Sequence, residues 1–210
     1  MTESRYMISF GGDVVSTDTL DDPEKFKNFD LKNFLFDRNG KEKRYPEMVA
    51  CAKALKSEHG FKKLGAIGFC YGGWAVFKLG GKGMFNIVCL LRLFLVESQE
   101  LEPLIPVGEN LVDCISTAHP SLLTKEEVSN VAVPVQVLAP ENDIWLTPEL
   151  KALCNSTIPS LNVDYDYQHF PGLAHGFATR SNQNNANEKR GLERAKNAAV
   201  AWSAQFLHMH

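Results

Sequence analysis

The sequence predicts an α/β fold, a mostly parallel sheet with helices on both faces. Three observations carry that prediction. Residues 64–69, 133–139 and 163–170 are short apolar or alternating runs with the length of strands, the second rich in β-branched residues and the third in aromatics. Segments with helical spacing lie between and after them. The clearest puts Leu192, Ala195, Ala199, Trp202 and Phe206 on one apolar stripe. Strands that alternate with helices argue for parallel pairing in a sheet covered on both sides.

Taken in order, residues 5–10 (RYMISF) read as a short strand ahead of Gly11, Gly12 and Asp13. Residues 16–43 are polar, charged and aromatic by turns, so they read as loop or weak helix. Pro46 is expected to open a helix carrying Met48, Cys51, Ala52 and Leu55, with His59 and Gly60 closing it. The strand at 64–69 passes into a helix at 74–79. The strand at 133–139 is expected to stop at Pro140, leaving Glu141, Asn142 and Asp143 in a loop at its carboxyl end. Thr147, Pro148 and Glu149 have the N-cap, proline, acid order of a helix start. After the strand at 163–170, Pro171 and Gly172 are expected to turn the chain into a loop carrying His175. No internal repeat is visible.

The chain of 210 residues fits one domain over 1–210, with 44% hydrophobic and 22% charged residues and a formal net charge of −3. That balance offers no basic surface for nucleic acid or an anionic membrane. Five cysteines without a C-x-x-C pair fit neither a disulfide scaffold nor a zinc site, and suit a reducing cytosol. The N-terminus has no apolar signal region, so the expected location is cytoplasmic. Residues 84–96 are apolar except for Asn86 and Arg92, but these 13 residues fall short of the roughly 20 that span a bilayer.

The chemistry concentrates at Gly68-Phe69-Cys70-Tyr71-Gly72-Gly73. A strand that ends in Gly-x-Cys-x-Gly and passes at once into a helix is a nucleophile elbow with sulfur in place of the usual serine oxygen. The glycines are expected to clear side chains from a tight turn. Cys70 then sits at a helix N-terminus, which favours thiolate over thiol. Cys51, Cys89, Cys114 and Cys154 read as packing residues. A thiol nucleophile needs a base and a group to orient that base. In the α/β-hydrolase fold they follow in the order nucleophile, acid, histidine, each just past a strand. Cys70, Asp143 and His175 meet both conditions. Among the competitors, His169 falls within a strand, His59 closes a helix, and His208 and His210 lie in a tail. His119 is placed to line the mouth of the site but not to act as base. Asp164 and Asp166 are expected at the surface.

The Gly-Phe-Cys-Tyr-Gly-Gly elbow, an aspartate in a later post-strand loop and then His175-Gly-Phe-Ala-Thr-Arg180 resemble the dienelactone hydrolase family, in a fungal-type form with a truncated N-terminus. The likeness covers residues 45–83 and 110–207. That family is an α/β-hydrolase branch that opens enol-lactone and related ester rings with a Cys-Asp-His triad. The resemblance implies attack by a Cys70 thiolate, proton exchange through His175, orientation of His175 by Asp143 and an acyl-thiol intermediate. It also implies a small-molecule lactone or ester substrate, with the Tyr71 N–H as one oxyanion donor. Arg180 is expected to hold an anionic substrate group, and Trp74 to line a flat apolar pocket. No cofactor or metal is implied.

Two departures stand out. Only one credible strand precedes residue 64, so the early strands, a second oxyanion donor and an acidic residue that influences the family's resting thiol are expected to be missing. Residues 84–109 read as an insertion, either a lid or a retained intron, since Gly83-Met84-Phe85 can be encoded across a GTATGT splice donor. Removing them shortens the interval from Cys70 to Asp143 from 73 residues to 47. The alternatives to a hydrolase are an inactive remnant acting as an interaction protein, or another thiol acyl-transfer enzyme. Oligomeric state is not legible.

Overall fold

The structure, a computed structural model, describes residues 23–30, 32–82 and 110–208. The predicted strand at 5–10 and the expected insertion at 84–109 lie outside the described residues, as do Cys89 and His210. The chain divides into two compact units, Met1–Cys51 and Ala52–His210.

The described part of the first unit is helical. It holds α1 (Pro23–Lys27), a π-helical turn at Asn33–Arg38 and most of α2 (Lys41–Ser57). Pro46 does not open α2 but lies inside it. Proline removes one helical hydrogen bond, and the turn ahead of it is secured by Lys43 and Arg44, whose N–H groups donate to the Gly40 carbonyl.

The second unit is built on β1 (Gly65–Phe69), β2 (Cys114–Ala118), β3 (Val135–Asn142) and β4 (Tyr165–Ala174), paired in that order with every neighbouring pair parallel. The connections carry α3 (Gly72–Leu79), α4 (Lys125–Ser129) and α5 (Pro148–Thr157), and α6 (Ala186–Leu207) follows β4. Strand alternation assigns the faces. A Cβ on Gly68 would stand 2.9 Å from Val76 of α3, and one on Gly65 would stand 2.9 Å from Leu207 of α6. Positions an odd number apart on a strand point opposite ways, so α3 and α6 cover opposite faces. This is the α/β class the sequence predicts, and all five residues of β2 are buried because both faces are covered.

Each face has its own core. Trp74 and Phe77 of α3 are fully buried, each contributing roughly 1.5–3 kcal/mol through removal of apolar surface from water. On the other face Ala195 and Ala199 of α6 pack with Ala118, Leu138 and Phe170. The Trp202 indole donates to the Ile115 carbonyl at 2.9 Å, so α6 is tied to the sheet by a buried hydrogen bond as well as by packing. Ser116, Gln136 and Asp166 form a polar ladder across β2, β3 and β4, with bonds of 2.7 and 2.8 Å. Asp166, expected to be solvated, is thus engaged within the sheet.

Two predicted strand ends are corrected. β3 runs through Pro140 to Asn142, and β4 runs through Pro171 and Gly172 to Ala174. Pairing of β2 with β3 ends at Leu138, so no neighbour on that side requires a Pro140 N–H. On the other side the register shifts between Pro140 and Asn142, where β4 contributes extra residues. Gly172 there has φ 70° and donates its N–H to the Glu141 carboxylate at 2.6 Å. The bulge delivers His175 at the very end of β4. α5 opens as predicted, with the Thr147 hydroxyl accepting from the Leu150 N–H and Pro148 in the first turn.

Candidate active site

Each of the four strands ends at a residue of one cluster: Cys70 after β1, the turn 119–121 after β2, Asp143 after β3 and His175 after β4. Carboxyl ends of parallel strands are where open α/β sheets gather their chemistry.

Cys70 has φ 50°, a left-handed conformation that non-glycine residues seldom adopt. The turn is pinned from both sides. The Cys70 N–H donates to the Ala118 carbonyl at 3.2 Å, and the Cys70 carbonyl accepts from Gly73 at 3.0 Å and Ser121 at 2.8 Å. Thr117 Oγ1 donates to the Gly68 carbonyl at 3.0 Å. Two glycines permit this closeness. A Cβ on Gly68 would collide with the Gly72 carbonyl, and one on Gly73 would stand 2.6 Å from Pro120 Cα. Gly72, expected to be needed for the same reason, has open space where a Cβ would be. Gly73→Ala should therefore cost about 1–3 kcal/mol, lowering the melting temperature by roughly 2–12 °C. Gly72→Ala should leave it unchanged or slightly raised, which thermal unfolding of the two variants checks.

The structure brings Cys70, Asp143 and His175 into one line. His175 Nε2 lies 3.1 Å from Cys70 Sγ, and His175 Nδ1 lies 3.0 Å from both carboxylate oxygens of Asp143. The Asp143 side chain is 0% exposed and that of His175 is 17% exposed. Asp143 also accepts from the N–H groups of Trp145 at 2.8 Å and Leu146 at 3.1 Å, so its carboxylate is fixed before it meets the imidazole. The His175 N–H donates to the Asn142 carbonyl at 3.2 Å, which links the two loops through their backbones.

The electrostatics follow from this geometry. Burial alone would raise the Cys70 thiol, but hydrogen bonds from His175 and Ser121, the His175 charge and the Tyr71 N–H bring it below the ordinary thiol value. Burial would lower His175, yet Asp143 and Cys70 together push it up to about 9. Asp143 is disfavoured as an anion by burial but held below the usual carboxylate range by His175 and the two backbone donors. The two shifts reinforce each other: His175 favours the ionised sulfur, and Cys70 together with Asp143 favours the protonated imidazole.

Residues 105–207 match the family model described as the dienelactone hydrolase family. Residues 105–207 belong to the dienelactone hydrolase family. The chain is 24% identical over 203 residues to hydrolase tropI of Talaromyces stipitatus, covering 94% of this chain and 68% of that protein. It is 22% identical over 162 residues to hydrolase pyvD of Aspergillus violaceofuscus, covering 77% of this chain but only 55% of that relative. Among solved structures, a dienelactone hydrolase-like promiscuous phosphotriesterase from metagenomic libraries superposes with a TM-score of 0.56 at 16% identity, over 85% of this chain and 68% of that one. That likeness establishes the α/β-hydrolase fold. The strands β2 to β4, Asp143 and His175 lie inside the dienelactone hydrolase match, and the elbow at Cys70 lies ahead of it.

Around this cluster the remaining expected residues fall unevenly. Tyr71 directs its N–H at the Cys70 sulfur. Arg180 is exposed, with its guanidinium against Gly176: a Cβ there would stand 3.4 Å from Nη2. Trp74, expected to line a pocket, is corrected: it is fully buried beneath the elbow, its ring 5.4 Å from that of Tyr71. The 3.6-residue period of a helix that covers a sheet puts Trp74, with Phe77 three residues on, on the face turned to the core. His119 is likewise buried, not at a mouth. Its ring packs edge-on against His175 at 4.8 Å, and its two ring nitrogens have no hydrogen-bond partner among the described residues. Burial and the neighbouring His175 charge depress it to about 4, so it stays neutral beside the pair. Ser121, which the sequence reading did not single out, lies 3.5 Å through Oγ from Cys70 Sγ. Its one signal was a position just past a strand end. Among the described residues no group of three His, Cys, Asp or Glu side chains is arranged to hold a metal ion, and no helix is long and apolar enough to cross a membrane.

Proposed function

We propose that this chain is a cysteine-dependent ester hydrolase that opens a small lactone or ester through an acyl-thiol intermediate. One observation carries the reading: a sulfur 3.1 Å from an imidazole whose other nitrogen is 3.0 Å from a buried carboxylate. Contacts of this length between nucleophile, base and orienting acid are what covalent acyl transfer requires. The Cys70 thiolate adds to the substrate carbonyl, and the carbonyl electron pair moves to oxygen. Collapse breaks the bond to the leaving oxygen, which takes the His175 proton. In a lactone that oxygen stays tethered as an alcohol. Neutral His175 next removes a proton from water, whose oxygen adds to the acyl carbon. The carbon–sulfur bond then breaks with its electrons returning to sulfur. Asp143 keeps the imidazole in the tautomer and orientation that these transfers need.

Arg180 is the candidate for holding an anionic substrate group, since an exposed guanidinium beside the His175 loop can grip a carboxylate bidentately. Free thiols at Cys51, Cys114 and Cys154, together with a nucleophile that must stay reduced, favour a cytoplasmic setting.

The test is p-nitrophenyl acetate hydrolysis with the full chain. A burst of p-nitrophenol should accompany an acetyl adduct located on the Cys70 peptide by mass spectrometry. The rate should follow a bell in pH. Its acid limb lies below the ordinary thiol value, where sulfur gains a proton and the nucleophile is lost. Its alkaline limb lies near 9, where His175 loses the proton that the leaving oxygen requires. A flat trace without adduct supports the inactive remnant. Transfer to an added alcohol in preference to water supports an acyltransferase.

A further inference from the structure

We propose that the Ser121 hydroxyl is a catalytic hydrogen-bond donor to the Cys70 sulfur. It holds the sulfur as thiolate before attack, and receives it as leaving group when the acyl-thiol breaks down. The inference rests on the reading of Cys70 as nucleophile and adds a residue to it.

Four observations converge. The Ser121 Oγ lies 3.5 Å from Cys70 Sγ, within reach for a hydrogen bond to the larger sulfur atom, and has no other hydrogen-bond partner among the described residues. Ser121 is 5% exposed, so solvent does not replace that partner easily. The Ser121 N–H donates to the Cys70 carbonyl at 2.8 Å, which locks donor and nucleophile to each other through the backbone. The segment around it is also bent on both sides: His119 has φ 40° and Leu122 has φ 56°. With Cys70 itself, these account for three of the four non-glycine residues of positive φ among the described residues. Left-handed residues cost free energy and persist where surrounding structure holds them. Here they hold a hydroxyl against the reacting atom.

The direction of the bond follows from charge. A thiolate has no proton, so the hydroxyl donates. Together with His175 Nε2 and the Tyr71 N–H, it makes three donors on one sulfur. A donor to an anion stabilises the anion relative to the thiol, and so shifts titration downward. During breakdown of the tetrahedral adduct the carbon–sulfur electron pair returns to sulfur. The same hydroxyl stabilises the charge that develops there. Ser121 follows β2 and lies within the residues matched to the family.

The test uses the rate of alkylation by iodoacetamide, read at the Cys70 peptide by mass spectrometry, for the full chain and for Ser121→Ala and Ser121→Thr. In wild type the rate should rise with an inflection below the ordinary thiol value. Ser121→Ala should move that inflection up by about one pH unit, a tenfold slower reaction on the acid side. On the alkaline plateau it should react as fast as wild type or faster, because a thiolate without its donor is more basic and more nucleophilic. Ser121→Thr keeps the hydroxyl and should keep the wild-type inflection. A packing role would lower the rate equally at every pH. Such a uniform loss, or an unmoved inflection in Ser121→Ala beside a depressed wild-type value, overturns the Ser121 assignment alone. A wild-type inflection at the ordinary thiol value overturns the nucleophile reading itself, and the assignment with it.

Discussion

Cys70→Ala should abolish the p-nitrophenol burst and the acyl adduct, lowering turnover by on the order of 10⁴-fold or more, because removing the nucleophile removes the covalent route altogether. Cys70→Ser is the sharper experiment, since it keeps a nucleophile of the same valence at the same place. It should still lose most of the activity. The site lowers a thiol from an ordinary value of 9.0, using donors set at sulfur contact distances such as 3.1 Å to His175 and 3.5 Å to Ser121. A hydroxyl starts far above that value, and the shorter carbon–oxygen bond withdraws it from the imidazole. Its removal of the thiolate–imidazolium charge separation should show as loss of the ultraviolet thiolate absorbance, measured beside turnover. Both variants should melt close to wild type, because the elbow is held by backbone bonds from Ala118, Gly73 and Ser121 rather than by the thiol. A serine variant retaining more than about a tenth of wild-type turnover would show that the site activates oxygen as well and is not tuned to sulfur.

How much of this was legible in the sequence differs from element to element. The elbow was, because Gly68 and Gly73 lie where a side chain would strike Gly72 or Pro120, and close approach leaves a mark in residue type. The spatial meeting of Asp143 and His175 was legible through chain order, since both were placed just past strands that pair in parallel. The strand ends were not. Proline reads as a terminator until the neighbouring strand is known to stop first, as β2 does at Ala118 opposite Leu138. Burial of polar side chains was also hidden. Nothing in the pattern around His119 or Asp166 distinguishes a solvated group from one folded under a loop or joined to Gln136. Ser121 escaped because serine after a strand is common, and only its distance to sulfur gives it meaning. Trp74 was misread for the converse reason: an aromatic beside a nucleophile suggests a pocket, yet helix periodicity sends it into the core.

Asp143→Asn should lower turnover by about 10³–10⁴-fold while the fold survives. The amide oxygen can still accept from Trp145 and Leu146, the two bonds that shape the loop after β3. What changes is the partner offered to His175 Nδ1. An amide nitrogen donates there, so the imidazole must carry its proton on Nε2, facing Cys70, and cannot take the thiol proton. The charge that raises His175 to about 9 is lost too, so the alkaline limb of the pH profile should move down. Stability separates this from a structural defect. His175 is raised in the folded state from an ordinary value of 6.5, so its ion pair with Asp143 stabilises fully below 6.5 and is lost as pH rises through about 9. Asp143 is lowered, so its share is present above the ordinary 3.8 and is lost only in acid, as pH falls through the depressed value. Asp143→Asn should therefore melt below wild type near neutral pH, by a margin that narrows as pH rises through about 9 and keeps only the share that Asp143 draws from the Trp145 and Leu146 N–H groups. Turnover, by contrast, should stay depressed at every pH. A melting temperature far below wild type even on the alkaline side would mean that Asp143 serves the loop and not the imidazole.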